Sequence, residues 1–441
     1  MIRLKITDNS THTLIEDELN YKPDIEQIAD VEIANLKLDD NPNLLVFPQS
    51  MGYHGDEIGK GVIIELDGDK ISTNNIMGFV GVNQTQIDIR SRFAQNDNED
   101  YFLHYILQKV FSVNLFDIKH TTSEERIFDF LLYMFPYYLK KAVAQGVFKK
   151  YRRFEYNDAN IRGPVDVSRH IRQNIPFHGT MAYSTRQHTV DNELTQLIRH
   201  TIEFIRTKVM GASVLNADKE TKECVSQIVQ ATPSYNVRDR QRIIKQNLRP
   251  VRHPYFSDYT ALQKICLQIL RHESINYGQE KDKIYGILFD GAWLWEEYLD
   301  RILKVCEFRH PKNKENKGGI RMFEKPEVES LFDNNSRRLY PDFWKPNYIL
   351  DAKYKRLDKN GVRREDLYQV VTYMHCLKAE NGGFVYPTEN ESKTETHKLA
   401  GYGGTMHILG VKVGHECNDF KKYADKMVKI ENNLKIHLKK S

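Results

Sequence analysis

The sequence predicts an α+β chain of several domains: a β-rich N-terminal domain over residues 1–95, a mainly helical middle region over 96–278, and a C-terminal α/β core with a mixed sheet over 279–441. Three observations carry this. The chain has 441 residues, more than one ordinary core holds. The hydrophobic period passes from strand-like alternation to helical spacing near residue 100, and changes again near 279. Beyond that point the order helix, three strands, helix, strand describes a small α/β sandwich.

In the first segment, "GVIIELDGDKIS" reads as a strand, a turn at Asp67–Gly68 and a second strand. "QTQIDIRSRF" alternates, with Ile87 and Ile89 on one face and Asp88 and Arg90 on the other. The polar run "AQNDNED" (Ala94 to Asp100) reads as a linker. In the middle, "YFLHYILQKVF" and "IFDFLLYMFPYYLKKAVAQGVF" place apolar residues at helical spacing. "DNELTQLIRHTIEFIRTKVM" reads as a long helix capped by Asp191 or Asn192. Between them, "ANIRGPVDVSRHIRQN" holds a Gly–Pro break and a short mixed segment. In the last segment, "FDGAWLWEEYLDRILKVCEF" reads as a helix, placed from Ile287 to Lys304. "GIRMFE" and the two halves of "RLYPDFWKPNYILDAKYKR" are short strands, and "REDLYQVVTYMHCLKA" is a helix. "GFVYP" and "HILGVKV" are strands, and a basic amphipathic helix ends the chain. Neither an internal repeat nor a long low-complexity tract is present.

Composition narrows the function classes. Hydrophobic residues make up 40%, and mean hydropathy is −0.59. Without an apolar run of about 18 residues there is no predicted membrane span. The start "MIRLKITDNS" has no secretory core, which predicts a cytoplasmic protein. Cys224, Cys266, Cys306, Cys376 and Cys417 are widely spaced and form no CxxC pair, so reduced and mostly buried thiols are expected. The net charge of +4 permits a nucleic-acid partner without demanding one. Two basic runs stand out: one holds Lys149, Lys150, Arg152 and Arg153, the other Arg240, Arg242 and Lys245. Each is either a solvated helix face or a phosphate contact. "GDEIGKG" (Gly55 to Gly61) comes near a phosphate loop, but three residues separate the glycines and Gly61 follows Lys60. A turn is expected there, and no nucleotide hydrolysis by this chain.

The chemistry concentrates near residue 350. A break at Lys345–Pro346–Asn347 would fold two short strands into a hairpin and bring Asp342 beside the end of the second. Side chains alternate along a strand, so Asp351 and Lys353 share a face with Ala352 between them. Two carboxylates held together call for a cation, and Mg²⁺ commonly takes one or two. The lysine ammonium can orient an attacking water, which gives metal-assisted phosphodiester hydrolysis. The plainer alternative is a same-face salt bridge on an exposed strand. The apolar lead "YILDAKYK" favours the buried site. Glu296 shares a helix face with Ala292, Leu299 and Leu303, so it is either a further site carboxylate or an acid at the stripe's edge. Glu297 falls with Asp300 and Arg301 and is expected to be exposed. Gln369 and Tyr373 lie at i and i+4 and can point to one place.

Glu296, Pro341–Asp342, Asp351–Ala352–Lys353 and Gln369-x-x-x-Tyr373, in this order, resemble the PD-(D/E)xK nuclease fold. More narrowly, "LWEEYL", "YPDF" and "ILDAKYK" resemble the nuclease subunit, McrC, of the McrBC family of modification-dependent restriction systems. "VGVNQTQIDIRSRF" resembles that family's N-terminal strand segment, with Ser91–Arg92 where a proline–lysine pair is usual. "ANIRGPVDVSRHIRQN" resembles its Arg–Gly region. The resemblance implies an anti-phage DNA endonuclease that uses Mg²⁺. It also implies a separate AAA+ motor of McrB type, whose hexameric rings bind GTP and move DNA. The N-terminal domain would dock that motor and stimulate its GTPase. Asp342, Asp351 and Lys353 take the catalytic roles, with Glu296 as a fourth member. The implied metal set is Asp342, Asp351, Glu296 and the Ala352 main-chain carbonyl, bordered by Gln369 and Tyr373. Two other readings stand beside it: a stand-alone repair or recombination nuclease on the same fold, and a non-cleaving DNA-binding activator.

Overall fold

The computed structural model describes residues 2–33, 44–48, 61–83, 85–94, 100–111, 123–208, 211–272, 284–311, 319–322, 338–401, 403–417 and 419–440. The strands are β1 (Ile2–Thr7), β2 (Thr11–Thr13), β3 (Leu44–Phe47), β4 (Ile64–Asp67), β5 (Lys70–Thr73), β6 (Ile76–Val82), β7 (Thr85–Arg90), β8 (Lys150–Asp158), β9 (Met181–Thr189), β10 (Ile284–Asp290), β11 (Ile320–Arg321), β12 (Arg338–Leu339), β13 (Phe343–Lys345), β14 (Tyr348–Ala352), β15 (Asn381–Thr388), β16 (Thr394–Lys398) and β17 (Thr405–Lys412). The helices are α1 (Lys22–Ile25), α2 (Tyr101–Phe111), α3 (Ser123–Val143), α4 (Val167–Gln173), α5 (Glu193–Arg206), α6 (Gly211–Leu215), α7 (Lys219–Ala231), α8 (Arg240–Gln246), α9 (Asp258–His272), α10 (Gly291–Leu303), α11 (Leu357–Asn360), α12 (Arg364–Leu377) and α13 (Phe420–Lys440). The chain is α+β with mixed sheets. It divides into two compact units: Met1–Asp117 with Gly278–Ser441, and Ile118–Tyr277.

In the first unit a five-stranded sheet runs in the order β1-β7-β6-β10-β3, beside a three-stranded sheet β2-β5-β4. Ile87 and Ile89 face the interior as their alternation requires, and share a core with Leu4, Ile6, Val80, Ile64 and Ile71. The expected turn after β4 is present, though Asp67 pairs with Lys70, so Gly68 and Asp69 form the loop. Gly68 has φ +61°, which is what a tight hairpin asks of it. The run Gly55–Lys60, and Gln95–Glu99 of the expected linker, lie outside the described residues.

One correction concerns residues 287–290. The sequence places them in a helix, but they end β10, which pairs antiparallel with β6 and parallel with β3. "IYGILFD" is a short apolar run buried between two neighbours, a pattern that periodicity cannot separate from a buried helix. Asp290 ends the strand and caps α10, its Oδ1 accepting from Ala292 N at 2.8 Å and Trp293 N at 3.2 Å. The N-terminal sheet therefore feeds straight into the helix that carries Glu296.

The second unit is not purely helical. "KKYRRFEY" lies on a strand, not on a helix face: β8 and β9 pair antiparallel from Lys150↔Thr189 to Asp158↔Met181. Its mixed cations and aromatics suit a pleated, half-exposed ribbon. As expected, α5 is capped by Asn192, in a reciprocal arrangement with Thr195. No helix among the described residues is long and apolar enough to cross a membrane. The five cysteines form no disulfide, and all but Cys376 are buried.

The C-terminal sheet runs β13-β14-β15-β17-β16. β14, β15 and β17 are parallel neighbours, and β13 and β16 are antiparallel edges. β16 was not anticipated; its exposed, polar sequence carries no apolar signal. Of "GIRMFE", Ile320–Arg321 forms β11, while Phe323 and Glu324 lie outside the described residues. One sheet face, with Ile349, Phe384 and Met406, packs on Val370, Tyr373 and Met374 of α12. The opposite face meets α10 and α13: Trp295 Nε1 donates to Val385 O at 3.3 Å, and His407, stacked on Tyr348, lies beside His437.

Candidate active site

The hairpin forms as the sequence predicts. Lys345 pairs with Tyr348, so Pro346–Asn347 is a two-residue turn, and Asn347 takes the left-handed backbone (φ +67°) that a turn with proline first asks of its second residue. The register Phe343↔Leu350 sets Asp342 opposite Asp351. The Asp342 Oδ2 accepts from Ala352 N at 2.8 Å, and its carboxyl lies close enough for its charge to act on Asp351. Asp351 is 2% exposed. Lys353 lies on the same face, its Nζ 2.7 Å from Asp351 Oδ2, and Lys353 N donates to Val385 O at 3.0 Å, which holds the strand end against β15.

The electrostatics follow from burial and crowding. Burial first, then the Glu296 charge, push Asp342 up to about 7. Burial first, then Asp342, push Asp351 up to about 8. Burial works against the Lys353 ammonium, but Asp351 and Asp366 outweigh it and raise its pKa. Two carboxyls crowded together in a buried site favour keeping a proton there. That is a donor pair a divalent cation would relieve. Among the described residues, no group of three or more His, Cys, Asp or Glu side chains is arranged to hold a metal ion. Mg²⁺ needs none, since it usually keeps several waters beside one or two carboxylates. The residues present fit it.

Glu296 is half-buried on α10, and its charge reaches Asp342. Glu297, expected to be exposed, is also half-buried, because α10 is enclosed on more of its surface than one stripe. Gln369 Nε2 donates to Tyr373 Oη at 2.8 Å, and Tyr373 Oη donates to Tyr340 O at 3.4 Å, two residues before Asp342. The Gln-x-x-x-Tyr pair therefore meets, and it borders the carboxylates.

Four residues that the sequence does not bring to the site support it: Asp366, His310, Ser91 and Arg356. Asp366 on α12 is buried, with Oδ1 3.1 Å from Lys353 Nζ and Oδ2 3.6 Å from Lys355 Nζ. Its spacing to Gln369 and Tyr373, i+3 and i+7, was the available signal. His310 lies 2.6 Å from the Asp342 carbonyl through Nδ1 and stacks on Phe343; no sequence spacing announces this. Ser91 has its hydroxyl 3.1 Å from the Tyr354 hydroxyl. Arg356 donates to the Arg92 carbonyl at 2.6 Å. The end of β7 thus supports the chain leaving Lys353.

The basic runs lie in the second unit and are largely engaged there. Lys150 pairs with Glu193 at 3.2 Å, Arg153 with Asp166 at 3.4 Å and Arg242 with Asp239 at 2.7 Å. Arg152 and Arg240 sit over the rings of Phe154 and Phe204. Lys149 and Lys245 are exposed. The unit's most evident surface feature is apolar: Val167, Ile171, Ile175 and Phe177 are all exposed, Ile171 by 53% and Phe177 by 64%.

Among solved structures the chain is similar to a half-complex from a tetradecameric assembly of Thermococcus gammatolerans McrB AAA+ hexamers with bound McrC. Identity is 15% and the TM-score 0.40, covering 98% of this chain and 100% of that one. A second likeness, to the Thermococcus gammatolerans McrBC complex, has 13% identity and a TM-score of 0.29, covering 71% and 90%. Both are too distant to support a structural comparison. Curated proteins give no match. Residues 71–387 match the family described as McrBC 5-methylcytosine restriction system component. With that match running from β5 into β15, over well more than half its length, the chain belongs to the McrBC restriction-system family.

Proposed function

We propose that this chain is the DNA endonuclease subunit of a McrBC-type anti-phage restriction complex, cutting phosphodiesters with Mg²⁺ in the cytoplasm and stimulating a partner AAA+ GTPase of McrB type. One observation supports it above the others: Asp342 and Asp351 face each other across a hairpin, with Lys353 on the same face. Asp342, Asp351, Glu296 and the Ala352 carbonyl would hold the cation, with Gln369 and Tyr373 at its border. The bound cation would neutralise the scissile phosphate and make water more acidic. Lys353 would orient the attacking water and stabilise it as hydroxide. Tyr373 and Gln369 would fix the Tyr340–Asp342 backbone, and His310 would hold the Asp342 peptide from the other side. Lys149, Lys150, Arg152, Arg153, Arg240, Arg242 and Lys245 are proposed DNA contacts, with Lys149 and Lys245 the most available.

The motor is proposed to dock on the N-terminal domain. A specific observation favours a second surface: the exposed apolar residues of 161–177 are what a protein partner would cover. The test is cleavage of DNA by the full chain with its AAA+ partner, GTP and Mg²⁺. Cutting by the purified chain with Mg²⁺ alone would favour a stand-alone nuclease. GTPase stimulation without cutting under any divalent metal would favour a non-cleaving activator.

A further inference from the structure

Lys353 is held by two carboxylates, and they come from different elements. Its Nζ is 2.7 Å from Asp351 Oδ2 on β14 and 3.1 Å from Asp366 Oδ1 on α12. Asp366 is 8% exposed. Its backbone is fixed by packing, because Val370, Tyr373 and Met374 on the same helix are buried against the sheet. An acid in the first turn of a helix also complements the helix dipole. That alone calls for an exposed carboxylate, not one buried against a lysine.

We propose that Asp366 is the positioning residue for Lys353: it anchors the ammonium from α12, so that Asp351 can give its carboxylate to a divalent cation without releasing the lysine. The proposal rests on the nuclease reading above. With Asp351 as its one carboxylate partner, Lys353 would compete with the cation for the same oxygen, since a buried ammonium cannot be left unpaired. A second carboxylate removes the conflict. Lys355, 3.6 Å from the other Asp366 oxygen, balances the added charge.

The test is Mn²⁺ titration of the full chain by paramagnetic resonance, for wild type, D366N, K353M, the D366N/K353M double variant and D366E. Outer partners of metal ligands typically contribute ~10–100-fold in affinity. D366N is expected to weaken Mn²⁺ binding by about 10-fold. In the K353M background the same change should shift it by less than about 2-fold, because the competing ammonium is gone. D366E keeps the charge and should stay within about 3-fold of wild type. It also carries the test if D366N does not fold. Wild-type affinity in D366N, an equal loss with or without Lys353, or a full loss in D366E would overturn the proposal. Absence of Mn²⁺ binding by the wild type would overturn the nuclease reading and this inference together. Normal wild-type binding with any of the former results overturns the inference alone.

Discussion

Asp342 stands opposite Asp351 across the two-residue turn between β13 and β14, and its Oδ2 accepts from the Ala352 main-chain N–H at 2.8 Å. The relationship is set by register: a one-residue slip would turn one of them to the other sheet face. It forces two like charges into a site where one is 2% exposed, and so makes the site sensitive to protons and cations.

The first consequence is a pH dependence of stability. Asp342 and Asp351 are raised from 3.8 to about 7 and about 8, so the folded state holds protons that the unfolded state has released. Their contribution is full below pH 4 and is lost as pH rises toward 8. D351N should therefore gain thermal stability relative to wild type as pH increases across that window. Melting curves at several pH values check this; a difference that is flat with pH would contradict it.

A second consequence concerns Mg²⁺. A cation bound to the folded chain alone stabilises by about 2.7 kcal/mol at a hundred times its dissociation constant. Mg²⁺ should raise the melting temperature of the wild-type chain and have no effect on D342N or D351N. An equal rise in all three would place the ion elsewhere.

How far the site could be read from the sequence depended on spacing. The hairpin, Asp351 and Lys353 on one face, and Gln369 with Tyr373 all follow from a strand period of two and a helical i, i+4 repeat. β10 did not, since an apolar strand running directly into a helix cap offers no break in hydrophobicity. Nor did the β8–β9 ribbon, whose lysines and arginines resemble a solvated helix face. Asp366 was hidden because acids in a first helical turn are ordinary. His310 and Ser91 are joined to the site only by tertiary folding.

The packing of β15 gives a stability test. A Cβ on Gly383 would collide with the His407 carbonyl of β17. Gly383→Ala should destabilise the chain by roughly 3 kcal/mol or more, because backbone cannot give way as a side chain can. Chemical denaturation measures it, and a change under about 1 kcal/mol would mean the β15–β17 spacing is looser than described.

The exposed residues of 161–177 give a partner test. I171D with F177S alters surface side chains and should leave the melting temperature unchanged. It should weaken binding of the AAA+ partner and its GTPase stimulation by about 10-fold or more. Unchanged stimulation would return docking to the N-terminal domain.

Cleavage by site variants in the assembled complex bears most directly on the whole reading. D342N and K353M, mixed with the AAA+ partner, GTP, Mg²⁺ and DNA, should keep GTPase stimulation and lose cutting by at least ~10²–10³-fold. Cutting at wild-type rates by either variant would show that Asp342, Asp351 and Lys353 are not the hydrolytic centre.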